Sequence, residues 1–155
     1  SRLRGEVIGF VFQQFHLIPH LTAVANVETA LLYRGLSAGE RRRRAFEALE
    51  RLGLGDRHDH RPVQLSGGEQ QRVAIARAIV TEPLVVLADE PTGALDTANA
   101  ANIMEVFGGL QSPERAVCIV THNSDVASST PRRVSMLDGE VVADEEQATS
   151  RVVGP

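Results

Sequence analysis

The chain has 155 residues, a formal net charge of −4, 43% hydrophobic residues, 23% charged residues and one cysteine. This length and composition predict a single folded domain and exclude an intrinsically disordered chain, and the negative charge gives no basic surface for a nucleic-acid backbone. The single cysteine, Cys118, excludes an internal disulfide and is predicted to be a small buried strand residue.

The first half of the chain predicts one strand followed by three helices. Val7–Phe12 is a short apolar run, rich in β-branched and aromatic residues, and is predicted to form a buried strand. A first helix follows. Ser37 and Glu40 have the spacing of a capping box and predict the start of a second amphipathic helix. From Glu69 a third amphipathic helix is predicted, which Pro83 forces to end.

The second half alternates strands and helices. Leu84–Ala88 and Ala116–Val120 are apolar runs of strand length with a helix between them, and a short helix is predicted near Asn123–Ala127. A hairpin closes the chain, with strands Arg133–Leu137 and Glu140–Val142 around the turn Asp138-Gly139. Continuous apolar strands separated by helices predict an α/β fold with a mostly parallel sheet covered on both faces.

Polar residues follow two of the predicted strands directly. In open α/β sheets the reactive groups lie at the carboxyl ends of strands, which makes Asp89, Glu90 and His122 candidate site residues. A carboxylate such as Asp89 suits Mg²⁺, held directly or through water, whereas Glu90 is placed to orient and deprotonate a water molecule. Without their neighbours, the two acids are equally explained as solvated residues that open a loop.

A glycine pair precedes the third predicted helix. Ser66, Gly67 and Gly68 stand where unpaired backbone N–H groups and the positive end of the helix dipole form a site for phosphate oxygens. Glycine also lets the backbone approach a ligand closely. The plainer explanation of these residues alone is a serine N-cap followed by a flexible glycine pair.

Five sequence motifs occur in a fixed order along the chain. They are Phe12-Gln13, Leu65–Arg72, Leu84–Glu90, Gly93–Asp96 and Thr121-His122. In this order they resemble the Q-loop, signature sequence, Walker B strand, D-loop and switch histidine of the nucleotide-binding domain of ATP-binding-cassette transporters. The amino-acid sequence around the first motif is most similar to that of ATPases of the lipoprotein-release and macrolide-export type.

The resemblance implies a fold and a site. The fold is a P-loop NTPase-like α/β core at about residues 1–14 and 81–155, with an inserted Q-loop and helical signature subdomain at about 15–80, incomplete at the N-terminus. The cofactors are ATP and Mg²⁺. The implied site residues are Glu90, His122 and Gln13 for catalysis, Asp89 and Gln13 for the metal, and Ser66, Gly67, Gly68, Glu69 and Asp96 for the nucleotide.

The resemblance also implies partners and a location. Two chains form an ATP-dependent homodimer that shares each nucleotide, and a transmembrane permease subunit or domain is the partner that the ATPase drives. The sequence has no uninterrupted apolar run of about eighteen residues, the usual length of a membrane span. We therefore expect a protein that is cytoplasmic and peripheral on the cytoplasmic face of the plasma (inner) membrane, and no nucleic-acid partner.

The sequence departs from the family pattern at the phosphate-binding loop. All sixteen residues counted as Lys plus Arg are arginine, so no lysine is available for a loop of the G-x-x-x-x-G-K-[ST] kind. The chain begins with Ser1 rather than methionine and opens almost directly into a strand. We expect it to be N-terminally truncated, and we expect the polypeptide alone to bind ATP poorly and not to turn it over.

Two other functions stay open on the sequence. One is a soluble ATPase of the same superfamily that acts in translation or DNA repair, and the other is a non-catalytic, truncated binding module. The ordinary helices between Gln13 and Leu65 favour a transporter over a repair protein, which carries a coiled coil or a metal insertion there. His58 and His60, with Asp56 and Asp59, could ligate a metal, but no cysteine or spaced third histidine supports a defined site. The run Arg41–Arg44 fits a solvated helix face.

Overall fold

The computed structural model describes residues 7–146, which belong to two compact units that divide between Val120 and Thr121. The predicted core also includes residues 1–6 and 147–155, which lie outside the described residues. Within the described range, none of the helices combines the length and the apolar character needed to cross a lipid bilayer. The proposed division of the chain at about residues 14 and 80 stays a prediction.

The first unit contains three strands, four α-helices and three short 3₁₀ turns. The strands are β1 (Ile8–Phe12), β2 (Val85–Asp89) and β3 (Ala116–Val120). The helices are α1 (Ala23–Glu28), α2 (Ala38–Arg51), α3 (Gly67–Ile79) and α4 (Thr97–Leu110), of which α1 runs on into the first 3₁₀ turn. The 3₁₀ turns are Thr29–Leu31, Gly55–Arg57 and Pro62–Gln64.

The three strands form a parallel sheet in the order β1-β2-β3. Its register pairs Phe12 with Asp89 and Asp89 with Val120, so all three strands reach their carboxyl ends side by side. Each parallel connection passes through helices, as a parallel pair requires. The predicted α/β fold with a mostly parallel sheet is confirmed.

One face of this sheet is covered by helices and the other is exposed in the described part of the chain. Val11 and Val86 are buried against α3 and α4, whereas Phe10 is 43% exposed and Val120 is 51% exposed. Successive strand residues point to opposite faces, so both faces carry apolar side chains even where only one has a partner. The prediction of two covered faces is therefore wrong here, and so is the predicted burial of Cys118, which is exposed.

Helix α3 lies between two apolar clusters. Val73 and Ala76 belong to a cluster with α1 and α2, whereas Ile75 and Ile79 belong to a cluster with the sheet and α4. Fully burying side chains of this size contributes about 1.5–3 kcal/mol each relative to exposure. The helix is thus fixed from two sides and connects the helical segment to the sheet.

The start of α2 differs in part from the predicted capping box. Ser37 is the N-cap, and its hydroxyl oxygen accepts a hydrogen bond from the Glu40 N–H at 3.2 Å. The Glu40 carboxylate instead accepts from Arg43 at 2.8 Å and from Arg44 at 2.7 Å. These two arginines, Arg43 first, lower the pKa of Glu40 to about 2. Arg43 and Arg44 therefore pair with a carboxylate of their own helix rather than only with water.

The second unit contains α5 (Ser124–Ser128) and a hairpin of β4 (Arg132–Leu137) and β5 (Glu140–Glu146). Asp138 and Gly139 both have positive φ, at 49° and 84°, as the predicted two-residue hairpin turn requires. The second strand extends to Glu146, beyond the predicted end at Val142. In this extension Arg132 Nη2 and Asp144 Oδ2, on diagonal positions of the ladder, form an ion pair at 2.6 Å.

Candidate active site

The carboxyl ends of β1 and β2 bring two predicted catalytic residues next to each other. Phe12, the last residue of β1, pairs with Asp89, the last residue of β2. Gln13 and Glu90 are the residues that follow them directly. The Gln13 side chain lies over Gly93, because a Cβ added at Gly93 would stand 2.7 Å from Gln13 Nε2. The loop after Glu90 therefore forms the surface on which the Gln13 amide rests.

Glu90 has a backbone conformation that is uncommon for its residue type. Its φ is 45°, in the left-handed region that residues with a Cβ adopt only rarely. Its N–H donates to the Val120 carbonyl at 2.9 Å, and its carbonyl accepts from the Gly93 N–H at 3.1 Å. Such outliers persist where the surroundings hold them, and they cluster at functional sites. This geometry supports Glu90 as a site residue.

The donors available for a metal ion are Asp89 and Gln13. Asp89 is exposed at the end of β2. Among residues 7–146, no group of three or more His, Cys, Asp and Glu side chains is arranged to hold a metal. Mg²⁺ is typically bound by one or two carboxylates together with substrate phosphates and water, so an exposed carboxylate beside an amide fits Mg²⁺ bound along with a phosphate.

The start of α3 is a complete capping box built by Ser66 and Glu69. The Ser66 hydroxyl accepts from the Glu69 N–H at 3.3 Å, and the Glu69 carboxylate accepts from the Ser66 N–H at 2.7 Å. This backbone hydrogen bond is the largest cause of the lowered pKa of Glu69. The helix starts at Gly67 rather than at the predicted Glu69, because Ser66 is its N-cap.

The capping box determines which donors remain for an anion. By helix geometry, the N–H groups of Gly67 and Gly68 have no partner within the helix. They fit the predicted contact with phosphate oxygens. Glu69 has a structural task within the helix, and its predicted contact with the nucleotide stays a prediction.

Asp96 and Gly68 are connected through Asn99, a residue outside the predicted site. Asp96 is the N-cap of α4 and accepts from the Asn99 N–H at 2.9 Å and from Asn99 Nδ2 at 2.6 Å. The Asn99 backbone is the first cause of the lowered pKa of Asp96. A Cβ on Gly68 would lie 2.5 Å from Asn99 Oδ1, so the first turns of α3 and α4 meet here.

Gln71 is a second residue outside the predicted site, although it belongs to the signature motif. Its side chain is fully buried, and its Nε2 donates to the Pro91 carbonyl at 2.6 Å and to the Phe12 carbonyl at 3.5 Å. These carbonyls belong to the residues adjacent to Glu90 and Gln13. A glutamine within an otherwise apolar helical stripe was the signal in the sequence.

His122 belongs to the second unit, two residues after β3 ends at Val120. The next residue, Asn123, is the N-cap of α5, and its Oδ1 accepts from the N–H of Asp125 at 2.8 Å. The predicted short helix is confirmed. The catalytic role of His122 stays a prediction.

Comparisons with known proteins agree on one family. The model of the family described as ABC transporter matches residues 1–93. The chain is 51% identical to the ABC transporter ATP-binding protein YvrO of Bacillus subtilis over 94% of its own length and 63% of that protein. It is 54% identical to the macrolide export ATP-binding/permease protein MacB 1/2 of Paracoccus denitrificans over 93% of its length and 22% of that protein.

A solved structure agrees in fold as well as in sequence. It is described as the dimeric, post-hydrolysis state of the ATP-binding cassette MJ0796 bound to ADP and Pi, and the TM-score is 0.79 at 47% identity. The match covers 94% of this chain and 65% of that chain, so the chain spans about two thirds or less of the proteins it resembles. Since the family model covers more than half of the chain and the fold agrees, this chain belongs to the ABC transporter family as an ATP-binding domain.

Proposed function

We propose that this chain is a portion of the ATP-hydrolysing subunit of an ABC transporter of the macrolide-export or lipoprotein-release type. The observation that carries the proposal is the register of β1 and β2, which sets Gln13 beside Glu90 at the carboxyl edge of the sheet. Polar groups at this edge are the usual location of a ligand site in an α/β sheet. The relatives named as macrolide export ATP-binding/permease proteins support the type.

The side chains at this edge have distinct tasks. Glu90 orients a water molecule and takes its proton, and Gln13 aligns the same water and the metal. Asp89 would contribute a carboxylate to the metal. The role of His122, contact with the terminal phosphate, is proposed from the family resemblance alone. When bound, Mg–ATP would supply the γ-phosphoryl group, which is transferred to that water as the bond to the leaving ADP breaks, and the metal would offset the charge of the phosphate oxygens.

A homodimer is the proposed active state. The N–H groups of Gly67 and Gly68, with the exposed Ser66, are the donors for the phosphate of a nucleotide held by a second copy of the chain, and Asp96 lies at the seam between the copies. A helix N-terminus favours an anion through its dipole and its free donors. The solved relatives that are described as dimeric cassettes support this arrangement.

The proposed partner is a permease, fused or separate, and the proposed location is the cytoplasmic face of the membrane. The support comes from relatives whose names combine an ATP-binding and a permease part. The task of the ATPase is then to couple ATP binding and hydrolysis to transport of a substrate across the membrane.

The test uses the full-length gene product with the substitution Glu90→Gln. We expect ATP turnover to be abolished and ATP-bound dimers to accumulate, because the amide cannot accept the proton of water. Phosphate release measures the first effect and size-exclusion chromatography with ATP measures the second. Glu105→Gln is the matched control, because Glu105 is an exposed residue of α4 outside the site. Unimpaired hydrolysis in Glu90→Gln would remove this residue from its role.

A further inference from the structure

Arg77 holds two consecutive backbone carbonyls of the loop that follows Gln13. Arg77 lies in the last turn of α3. Its Nη1 donates to the His16 carbonyl at 2.6 Å, and its Nη2 donates to the Phe15 carbonyl at 2.8 Å. The planar fork of a guanidinium suits two neighbouring acceptors, which a single ammonium group cannot match.

The loop has an unusual backbone at this position. Phe15 and His16 have φ values of 51° and 47°, so two successive residues with side chains are in the left-handed region. Residues other than glycine rarely adopt this conformation, and it persists only where the surrounding structure holds it. The two hydrogen bonds from Arg77 are made to these same two residues.

The other attachment of the loop is made from the same helix. Gln71 donates to the carbonyl of Phe12, the residue before Gln13, and to the carbonyl of Pro91, the residue after Glu90. Gln13 therefore lies between two points at which α3 holds the backbone. The Phe15 ring also approaches the start of the helix, since a Cβ on Gly67 would lie 3.9 Å from Phe15 Cζ.

The electrostatic surroundings of Arg77 are consistent with a role in binding the loop. Burial lowers the pKa of Arg77. Removing a charge from water is costly and is usually offset by an opposite charge. In the part of the chain that the structure describes, Arg77 has no carboxylate partner, and its contacts are the two neutral carbonyls.

We propose that Arg77 is a positioning residue that holds the loop bearing Gln13 against the signature helix α3. This inference rests on the proposed ATP hydrolysis. The helix then carries the phosphate donors of Gly67 and Gly68 at its first turn and the anchor of the Gln13 loop at its last turn. A displacement of α3 on contact with a second copy moves the Gln13 loop with it.

The test compares three variants of the full-length gene product. Arg77→Met removes both donors but keeps an apolar chain of similar length, and Arg77→Lys keeps the charge but loses the fork. Arg115→Met is the matched control, because Arg115 also donates to a backbone carbonyl, that of Pro83 at 3.2 Å, before the amino ends of β2 and β3. Turnover, KM for ATP and melting temperature are measured for each.

We expect Arg77→Met to lower kcat roughly ten- to hundred-fold, since a displacement of about 1 Å at a catalytic group has an effect of this size. KM for ATP should stay within about two-fold, because Arg77 positions Gln13 rather than binding nucleotide. Arg77→Lys should fall between wild type and Arg77→Met, and Arg115→Met should retain the wild-type kcat. An unchanged kcat in Arg77→Met overturns the proposal.

A double-mutant cycle with Gln13→Ala separates positioning from general stability. If Arg77 acts through Gln13, then Arg77→Met should cause little further loss in the Gln13→Ala background. If Arg77→Met lowers kcat by the same factor in both backgrounds, the role of Arg77 is merely structural and the proposal is overturned. Arg77→Lys replaces Arg77→Met in the cycle if the latter does not fold.

A second readout needs no nucleotide. Amide hydrogen exchange in the loop of residues 13–17 should be faster in Arg77→Met than in wild type, while exchange in α2 should not change. Unchanged exchange in the loop contradicts the proposal. Failure of the proposed function itself has a different signature, because wild type would then show no turnover or Glu90→Gln would remain active.

Discussion

Gly93→Ala is predicted to damage the site without damaging the fold. A Cβ at this position would lie 2.7 Å from Gln13 Nε2 and 3.1 Å from Gln13 Cδ. Ordinary non-bonded contacts are about 3.5–4.0 Å, so the Gln13 amide must move by about 1 Å. The end of a flexible side chain moves at little cost, and replacing glycine in a compatible conformation gains about 0.4–1 kcal/mol through the unfolded state.

The size of the effect on turnover follows from this displacement. A shift of about 1 Å in a catalytic group lowers the rate by up to roughly 100-fold. We therefore expect a strong loss of kcat in the full-length gene product together with an unchanged or slightly higher free energy of unfolding. Phosphate release and urea denaturation measure the two quantities separately.

Gly108→Ala is the matched control for Gly93→Ala. Gly108 lies within α4, and a Cβ there meets no atom within 4 Å. Alanine in a helix interior is more favourable than glycine by about 0.5–1 kcal/mol, so this variant should be more stable with unchanged turnover. Full kcat in Gly93→Ala would refute the reasoning, because the Gln13 amide would then not need its position over Gly93.

Two further predictions concern stability. Gly9→Ala should lower the free energy of unfolding by about 1–3 kcal/mol in urea denaturation, because the added Cβ would overlap the backbone carbonyl of Ala78, which cannot rotate away; stability equal to wild type would contradict it. The lowered pKa of Glu69 makes its stabilising effect complete above the ordinary value of 4.5, and this effect is lost as the pH falls through the lower folded-state pKa. The difference in stability between wild type and Glu69→Gln should therefore shrink from pH 6 to pH 3, and a constant difference would show that the Glu69 charge has no role in the cap.

Local sequence patterns predicted the helices, strands and turns because these elements depend on interactions between residues that are near each other in the chain. The apolar runs of β2 and β3, the N-cap Ser66 and the turn at Asp138-Gly139 all act over a few residues. Periodicity and turn chemistry were sufficient for these elements. Glu90 was predicted from its position after a strand, whereas Gln13 was implied only by the family resemblance, and the register of β1 and β2 places the two residues side by side.

The sequence failed where long-range contacts decide the outcome. Gln71 reaches a carbonyl twenty positions away, and Arg77 reaches one sixty-two positions away, so no local pattern identifies the partner of either residue. The predicted burial of Cys118 is wrong, because the composition of a strand does not show which face of the sheet is covered. Glu40 has the spacing of a capping box, but Arg43 and Arg44 compete for its carboxylate.

The position of α3 explains why two residues on one helix can set the geometry of both catalytic loops. Its apolar residues are packed into two clusters on different sides, so the helix cannot rotate or slide without opening one of them. Close-packed interiors transmit displacements rather than absorbing them. Gln71 and Arg77 connect this fixed helix to the backbone on both sides of Gln13. If binding of a second copy at Ser66 displaces α3, the displacement must therefore include the elements packed on the helix and the backbone on both sides of Gln13.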